Sequence, residues 1–145
     1  MKGDLIVDDK EVQALFDRLI RKGKDTLALM RRLSSDLKDA VEENFEKQGR
    51  PKGKPLHPAT IKYRAKKGYT GSILQRTRGL KNSITTKSTS NEAVVGTNKK
   101  YAGVHQFGYE KRNIPARPFL KTTKEDVEGF KRTILNYIME WFSPL

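Results

Sequence analysis

Cysteine is absent from the 145 residues. That excludes a disulfide framework, a thiolate zinc site and a cysteine nucleophile, and it suits a reducing cytoplasm. Histidine is nearly absent: His57 and His105 stand 48 positions apart, and no acidic residue lies between His57 and Glu92. His57 therefore has no nearby acid for general acid–base work, and two histidines fall short of the ligand set of a hydrolytic metal site. Apolar runs extend over only a few residues, far below the roughly 20 needed to span a bilayer. The leading MKGDLIVDDK has acids where a signal peptide would be apolar. Gly49, Gly53, Gly68, Gly71 and Gly79 match neither the P-loop nor the dinucleotide fingerprint. These gaps lead us to expect a soluble, unexported, non-enzymatic chain with no metal, no cofactor, no small-molecule substrate and no membrane contact.

One further absence is local. Residues 47–91 contain 12 basic and no acidic side chains, whereas residues 1–46 carry 9 basic and 11 acidic and residues 92–145 carry 9 and 6. Nearly all of the net +13 therefore sits in the middle third. A solubilising excess would be spread over the surface, so this segment is expected to face something anionic or to be a mobile arm.

The length and the 35% hydrophobic content suit one domain, 1–145, with one modest core. Residues 8–47 read as helical. After Asp8 or Asp9 as N-cap, Val12, Leu15, Phe16, Leu19 and Ile20 form an amphipathic stripe that Gly23 ends or bends. A stronger stripe follows in Leu27, Met30, Leu33, Leu37, Val41 and Phe45, stopped by Gly49. Residues 48–79, with Pro51, Pro55, Pro58 and five glycines, read as a long basic loop with room for a short helix from about Ala59 to Lys67. Residues 80–120 read as a strand region. Leu80–Thr86 and Glu92–Gly96 flank the turn pair Ser90-Asn91 as a β-hairpin, Tyr101–Phe107 adds a mixed apolar segment, and the prolines hold Ile114–Leu120 extended. Residues 122–142 return to helix, capped by Thr122 or Thr123, with Val127, Phe130, Ile134, Tyr137, Ile138 and Trp141 as its buried stripe. The expected fold is α+β: N-terminal helices and a C-terminal helix packed on a small antiparallel sheet, with a long basic loop.

Three segments carry a resemblance. Gln75–Ile84, QRTRGLKNSI, is similar to a T-G-x-L-x-x-S-I element with Arg78-Gly79 at its threonine–glycine step. Val95–Gly108, VGTNKKYAGVHQFG, resembles V-G-T-N-x-x-Y-A-x-x-H-Q-F-G, and Ile114–Leu120 reads I-P-A-R-P-F-L. In order and spacing they resemble the Mu-like phage virion morphogenesis proteins, also called tail completion proteins. The region Phe45–Thr60 resembles that family's F-x-x-Q-G-x-P-x-G lead-in, with Lys54-Pro55-Leu56-His57 where a tryptophan is expected.

The resemblance implies a structural protein without catalytic residues, acting where tail and head are finished and joined, and working as a ring. It implies a place in the virion tail or neck, with assembly in the bacterial host cytoplasm. Partners would be copies of the chain itself, other tail or neck proteins or the portal, and phage DNA by non-specific contact. The residues expected at an assembly interface are Asn98, Tyr101, His105, Gln106, Phe107, Arg117 and Phe119. His105 and Gln106 would be satisfied by backbone of the same chain or of a neighbour. Arg117, fixed between prolines, would form an ion pair at an interface or with an acid of the chain's own helices. An anionic partner would meet Lys52, Lys54, Lys62, Arg64, Lys66, Lys67, Arg76 and Arg78, either the acidic helices of a neighbour or DNA. With Tyr63 and Tyr69 among these cations, a basic nucleic-acid-binding protein is the alternative reading. On the ring reading, residues 47–79 would be loose in the free chain and order on assembly, and self-association would weaken with salt.

Overall fold

The order of elements follows from where the 3.6-residue stripes lie and where glycine and proline interrupt them. The computed structural model describes residues 3–4, 10–23, 25–69, 73–75 and 79–142, and the side chains of these apart from 3, 4, 12, 141 and 142. A short strand β1 (Gly3–Asp4) precedes helix α1 (Lys10–Arg21), whose end is turned by Gly23 at φ +67°. Leu15, Phe16 and Leu19 pack inward from α1, while Ile20 is half exposed and lies outside the stripe it was assigned to. Asp8, Asp9 and the side chain of Val12 lie outside the described residues.

Helix α2 (Leu27–Glu46) is the spine of the core. Leu29 and Val41 are fully buried, with Met30, Leu33, Leu37 and Phe45 beside them. Its chain leaves through Gln48 at φ 56° and Gly49 at φ +107°. A Cβ at Gly49 would lie 2.8 Å from the Pro51 carbonyl oxygen and 2.9 Å from the Gly53 nitrogen, so the turn demands glycine.

Helix α3 (Pro58–Lys66) begins on a proline, and His57 Nδ1 accepts the Ala59 N–H at 3.1 Å as its cap. A helical turn α4 (Gly79–Asn82) leads into β2 (Thr85–Ser88) and β3 (Ala93–Thr97). The sheet is antiparallel in the order β1-β3-β2, with Thr85 opposite Gly96 and Ser88 opposite Ala93. The hairpin closes where Thr89 N–H reaches the Glu92 carbonyl at 2.8 Å across Ser90-Asn91. Helix α5 (Ala102–Phe107) and a 3-10 turn (Glu110–Arg112) follow. Helix α6 (Lys124–Phe142) starts on a reciprocal cap, in which Asp126 N–H donates to Thr123 Oγ1 and Thr123 N–H to Asp126 Oδ2.

Helices α1 and α6 pack on each other, and α2 packs between α6 and the β2–β3 face. Phe130, Ile134 and Tyr137 of α6 are buried and Val127 and Ile138 partly so, while the Trp141 side chain lies outside the described residues. The fold is therefore the expected α+β arrangement. Two local assignments change. Gly79–Asn82 is a helical turn where a strand was expected to begin at Leu80, and Ala102–Phe107 is a helix where the strand region was expected to hold a mixed apolar segment. Each is short, with too few residues to display a helical period.

Candidate functional site

The basic segment does not hang free of the core. Arg50, at its start, is only 12% exposed and all five of its N–H donors are used. Nε donates to Asn44 Oδ1 at 2.7 Å, Nη1 to Asp126 Oδ1 at 2.9 Å and Glu43 Oε2 at 3.2 Å, and Nη2 to Asp126 Oδ2 at 2.7 Å and the Ala40 carbonyl at 2.8 Å. Burial alone would raise the Asp126 carboxyl, but the hydrogen bonds from Arg50 and Thr123 outweigh it and hold the group below the usual carboxylate range. Hydrogen bonding to Lys47, followed by the Arg50 charge, likewise lowers Glu43.

Three more polar side chains hold separate stretches of chain together. Asn44 Nδ2 donates to the Phe119 and Lys121 carbonyls, each at 2.7 Å. Gln75, buried, donates to the Phe45 carbonyl at 2.9 Å. Gln106 Oε1 accepts the N–H groups of Phe119 and Leu120 at 3.0 Å, and its Nε2 donates to the Leu120 carbonyl at 3.2 Å. Gln106 is thus satisfied by backbone of its own chain.

Among the described residues Arg117 pairs with no acid of the chain's own helices. Its Nε donates to the Lys54 carbonyl at 3.1 Å and its Nη2 to the Pro55 carbonyl at 3.2 Å, while its backbone N–H binds the His105 carbonyl at 2.7 Å. The guanidinium fastens the proline-rich start of the basic segment to the Ile114–Leu120 strap. Together with Arg50 and Gln75 it ties the described part of residues 47–79 to the core of its own chain. Gly108 makes the strap's approach feasible: at φ +78° its Cβ would lie 2.9 Å from Ala116 N and from the Ile114 oxygen.

A groove of about 470 Å³ is bounded by α3, α4 and the start of α5, with Leu56, Tyr63, Leu74, Leu80, Tyr101 and His105 among its walls. The Tyr101 and His105 rings meet edge to face at 5.9 Å. His105 Nδ1 is buried with no hydrogen-bond partner among the described residues. Burial first, then the Arg117 charge, lowers the imidazole below its ordinary range and so disfavours its protonated form.

The structure divides the expected interface residues. Tyr101 and Phe107 are exposed, Phe107 by 74%, and Asn98 is exposed after β3. Gln106 and Arg117 turn to their own chain. Phe119 is buried to 1% with its ring 5.3 Å from that of Phe45. It is core, which corrects its assignment to an interface. Of the expected anion contacts, Lys52, Lys54, Lys62, Lys66 and Lys67 are exposed. Arg64 is 6% exposed and so is corrected to a buried side chain. Arg76 and Arg78 lie outside the described residues. Arg50, Asn44 and Asp126 went unnoticed in the sequence, because Arg50 reads as one more cation and its acid lies 76 positions on. Thr97, in the V-G-T-N stretch, accepts the Lys99 N–H at 3.1 Å and shares a 2.6 Å hydrogen bond with Ser83, so that motif residue also holds backbone.

The motif residues thus fasten separate stretches of their own chain together and leave a basic, partly apolar surface outside. The profile of the phage virion morphogenesis family matches residues 7–142. Mu-like prophage FluMu G protein 2 of Haemophilus influenzae is 37% identical over 94% of this chain and 92% of its own length. FluMu G protein 1 of the same organism is 34% identical over 89% of each. The putative capsid assembly protein G of Escherichia phage Mu is 30% identical over 86% of this chain and 88% of its own. No solved structure matches. The chain belongs to the phage virion morphogenesis family.

Proposed function

We propose that this chain is a non-enzymatic structural component that completes the phage tail or joins head to tail, acting as a closed ring of identical copies in the tail or neck of the virion. The observation that carries this reading is how the motif side chains are used. Gln106 and Arg117 of the motifs bind backbone of their own chain, as does Asn44 outside them, which suits a scaffold, and among the described residues no carboxylate lines the groove beside His105. The relative in phage Mu is named for capsid assembly, which favours a mechanical role. Its partners are further copies and neighbouring tail, neck or portal proteins, and assembly takes place in the bacterial host cytoplasm.

The positive surface then has a physical task. Closing a ring gathers the lysines of every copy, and that self-repulsion must be offset by an anionic neighbour. The test is the mass of the nuclease-treated chain in solution, and deletion of its gene from an active phage. Discrete oligomers, with tailless or unjoined particles after deletion, support the reading; a strict monomer whose loss leaves infectious particles refutes it.

A second reading, binding to nucleic acid, draws on one observation: Lys67 lies 6.0 Å from the centre of the exposed Tyr63 ring, a cation beside a stacking surface. A monomer that shifts only on addition of DNA would favour it.

A further inference from the structure

Two oppositely charged faces of this chain carry side chains that the chain itself leaves without an ion-pair partner among the described residues. The first is on α3 and the segment before it. Among the described residues no carboxylate lies within ion-pair distance of Lys52, Lys54, Lys62, Lys66 or Lys67. Set among these lysines, Ile61 and Tyr63 are about half exposed, at 53% and 49%.

The second face is the outward side of α2. Asp36, Asp39, Glu42, Glu43 and Glu46 recur at three- and four-residue steps and so form one stripe opposite the buried Leu33–Leu37–Val41 side. Glu125 and Asp126 at the start of α6 border the same shallow crevice, with Arg132 at its edge. Lys47 and Arg50 pair with Glu43, Lys38 lies 4.0 Å from Glu42, and Thr133 hydrogen-bonds Asp36. Asp39, Glu46 and Glu125 have no cation within ion-pair distance among the described residues.

We propose that these faces meet between copies: the α3 lysines of one chain dock, head to tail, on the α2 acidic stripe of the next. Because the two faces are different surfaces of the chain, the contact is heterologous and propagates, closing into a ring when the rotation permits. Charge complementarity sets the register and steers the encounter. The exposed aliphatic Ile61 favours a protein occupant over nucleic acid, since it offers no ring to stack on a base, whereas a neighbouring chain can cover both it and Tyr63.

The inference rests on the ring reading, and the test separates the two. Four full-length, nuclease-treated samples are compared by sedimentation velocity: the wild type, Lys62→Glu/Lys66→Glu, Asp39→Lys/Glu46→Lys, and an equal mixture of the two variants. All four substituted side chains are exposed, so the fold should be kept, and circular dichroism verifies it; Lys62→Gln/Lys66→Gln serves as a milder version. Each double variant should associate about 100-fold more weakly than the wild type. The mixture should regain association and grow past a heterodimer, because the remaining wild-type faces pair and the two reversed faces, acidic on α3 and basic on α2, are again complementary. Variants that keep the wild-type oligomer, or monomeric variants that ignore each other, overturn the docking while leaving the ring reading intact. A wild type that is itself monomeric removes the ring reading and this inference with it. A lysine variant that still assembles but loses affinity for duplex DNA assigns that face to nucleic acid and overturns the proposal.

Discussion

The guanidinium of Arg50 and the carboxylate of Asp126 lie side by side, joined by two hydrogen bonds of 2.9 and 2.7 Å across 76 positions of sequence. Both side chains are nearly buried, 12% and 11% exposed. The pair fixes the start of the basic segment to the first turn of α6, and through Asn44 to the end of the proline strap. Breaking a buried pair by removing one partner strands the other charge. Arg50→Ala should therefore lose about 3 kcal/mol in urea unfolding, and Arg50→Lys should recover little, because an ammonium cannot serve five acceptors in a plane. A loss below about 0.5 kcal/mol, the scale of an exposed pair, would contradict this.

The same pair makes stability depend on acid. Asp126 is held below the usual carboxylate range in the folded chain, so its contribution is full above about pH 4, the unfolded value, and is lost as pH falls through the folded one. Asp126→Asn should be less stable than wild type at pH 7 and should lose less on going from pH 5 to pH 2. Parallel curves over that range would count against the assignment.

His105 gives a second titration. Burial, then the Arg117 charge, lowers its imidazole, so the folded state disfavours protonation and its contribution is lost as pH falls below the unfolded value near 6.5. Ring-proton NMR should place its midpoint below that of an ordinary histidine. Arg117→Gln should move it upward, and an unshifted midpoint in the wild type would remove the buried setting.

Phe119 and Phe107 separate core from surface. Phe119→Ala should cost about 3–5 kcal/mol as a buried aromatic truncation, whereas Phe107→Ala, at a ring 74% exposed, should leave thermal stability within about 0.5 kcal/mol. Equal losses would mean that Phe107 is packed.

Long stripes were legible and long-range partners were not. In α2 and α6 enough turns pass for the 3.6-residue period to declare which side is buried, and Gly23, Gly49 and Thr123 mark ends by their own chemistry. His57-Pro58 opened α3 close to where a short helix was expected. Helix α5 has six residues and β1 two, too few to establish any period. Phe119 resembled an interface residue because a motif reports that a side chain matters, not which surface it meets. Arg50 was hidden because nothing local distinguishes a buried cation from its exposed neighbours. Only the fold brings Asp126, Glu43 and Asn44 around it.

The most direct test of a ring assembled by complementary charge is light scattering coupled to size exclusion on the nuclease-treated chain at low and high salt. A discrete multi-subunit species at low salt, dissociating as salt screens the exposed lysines and acids, is the expected result. A monomer at every salt concentration, or an oligomer indifferent to salt, would contradict it.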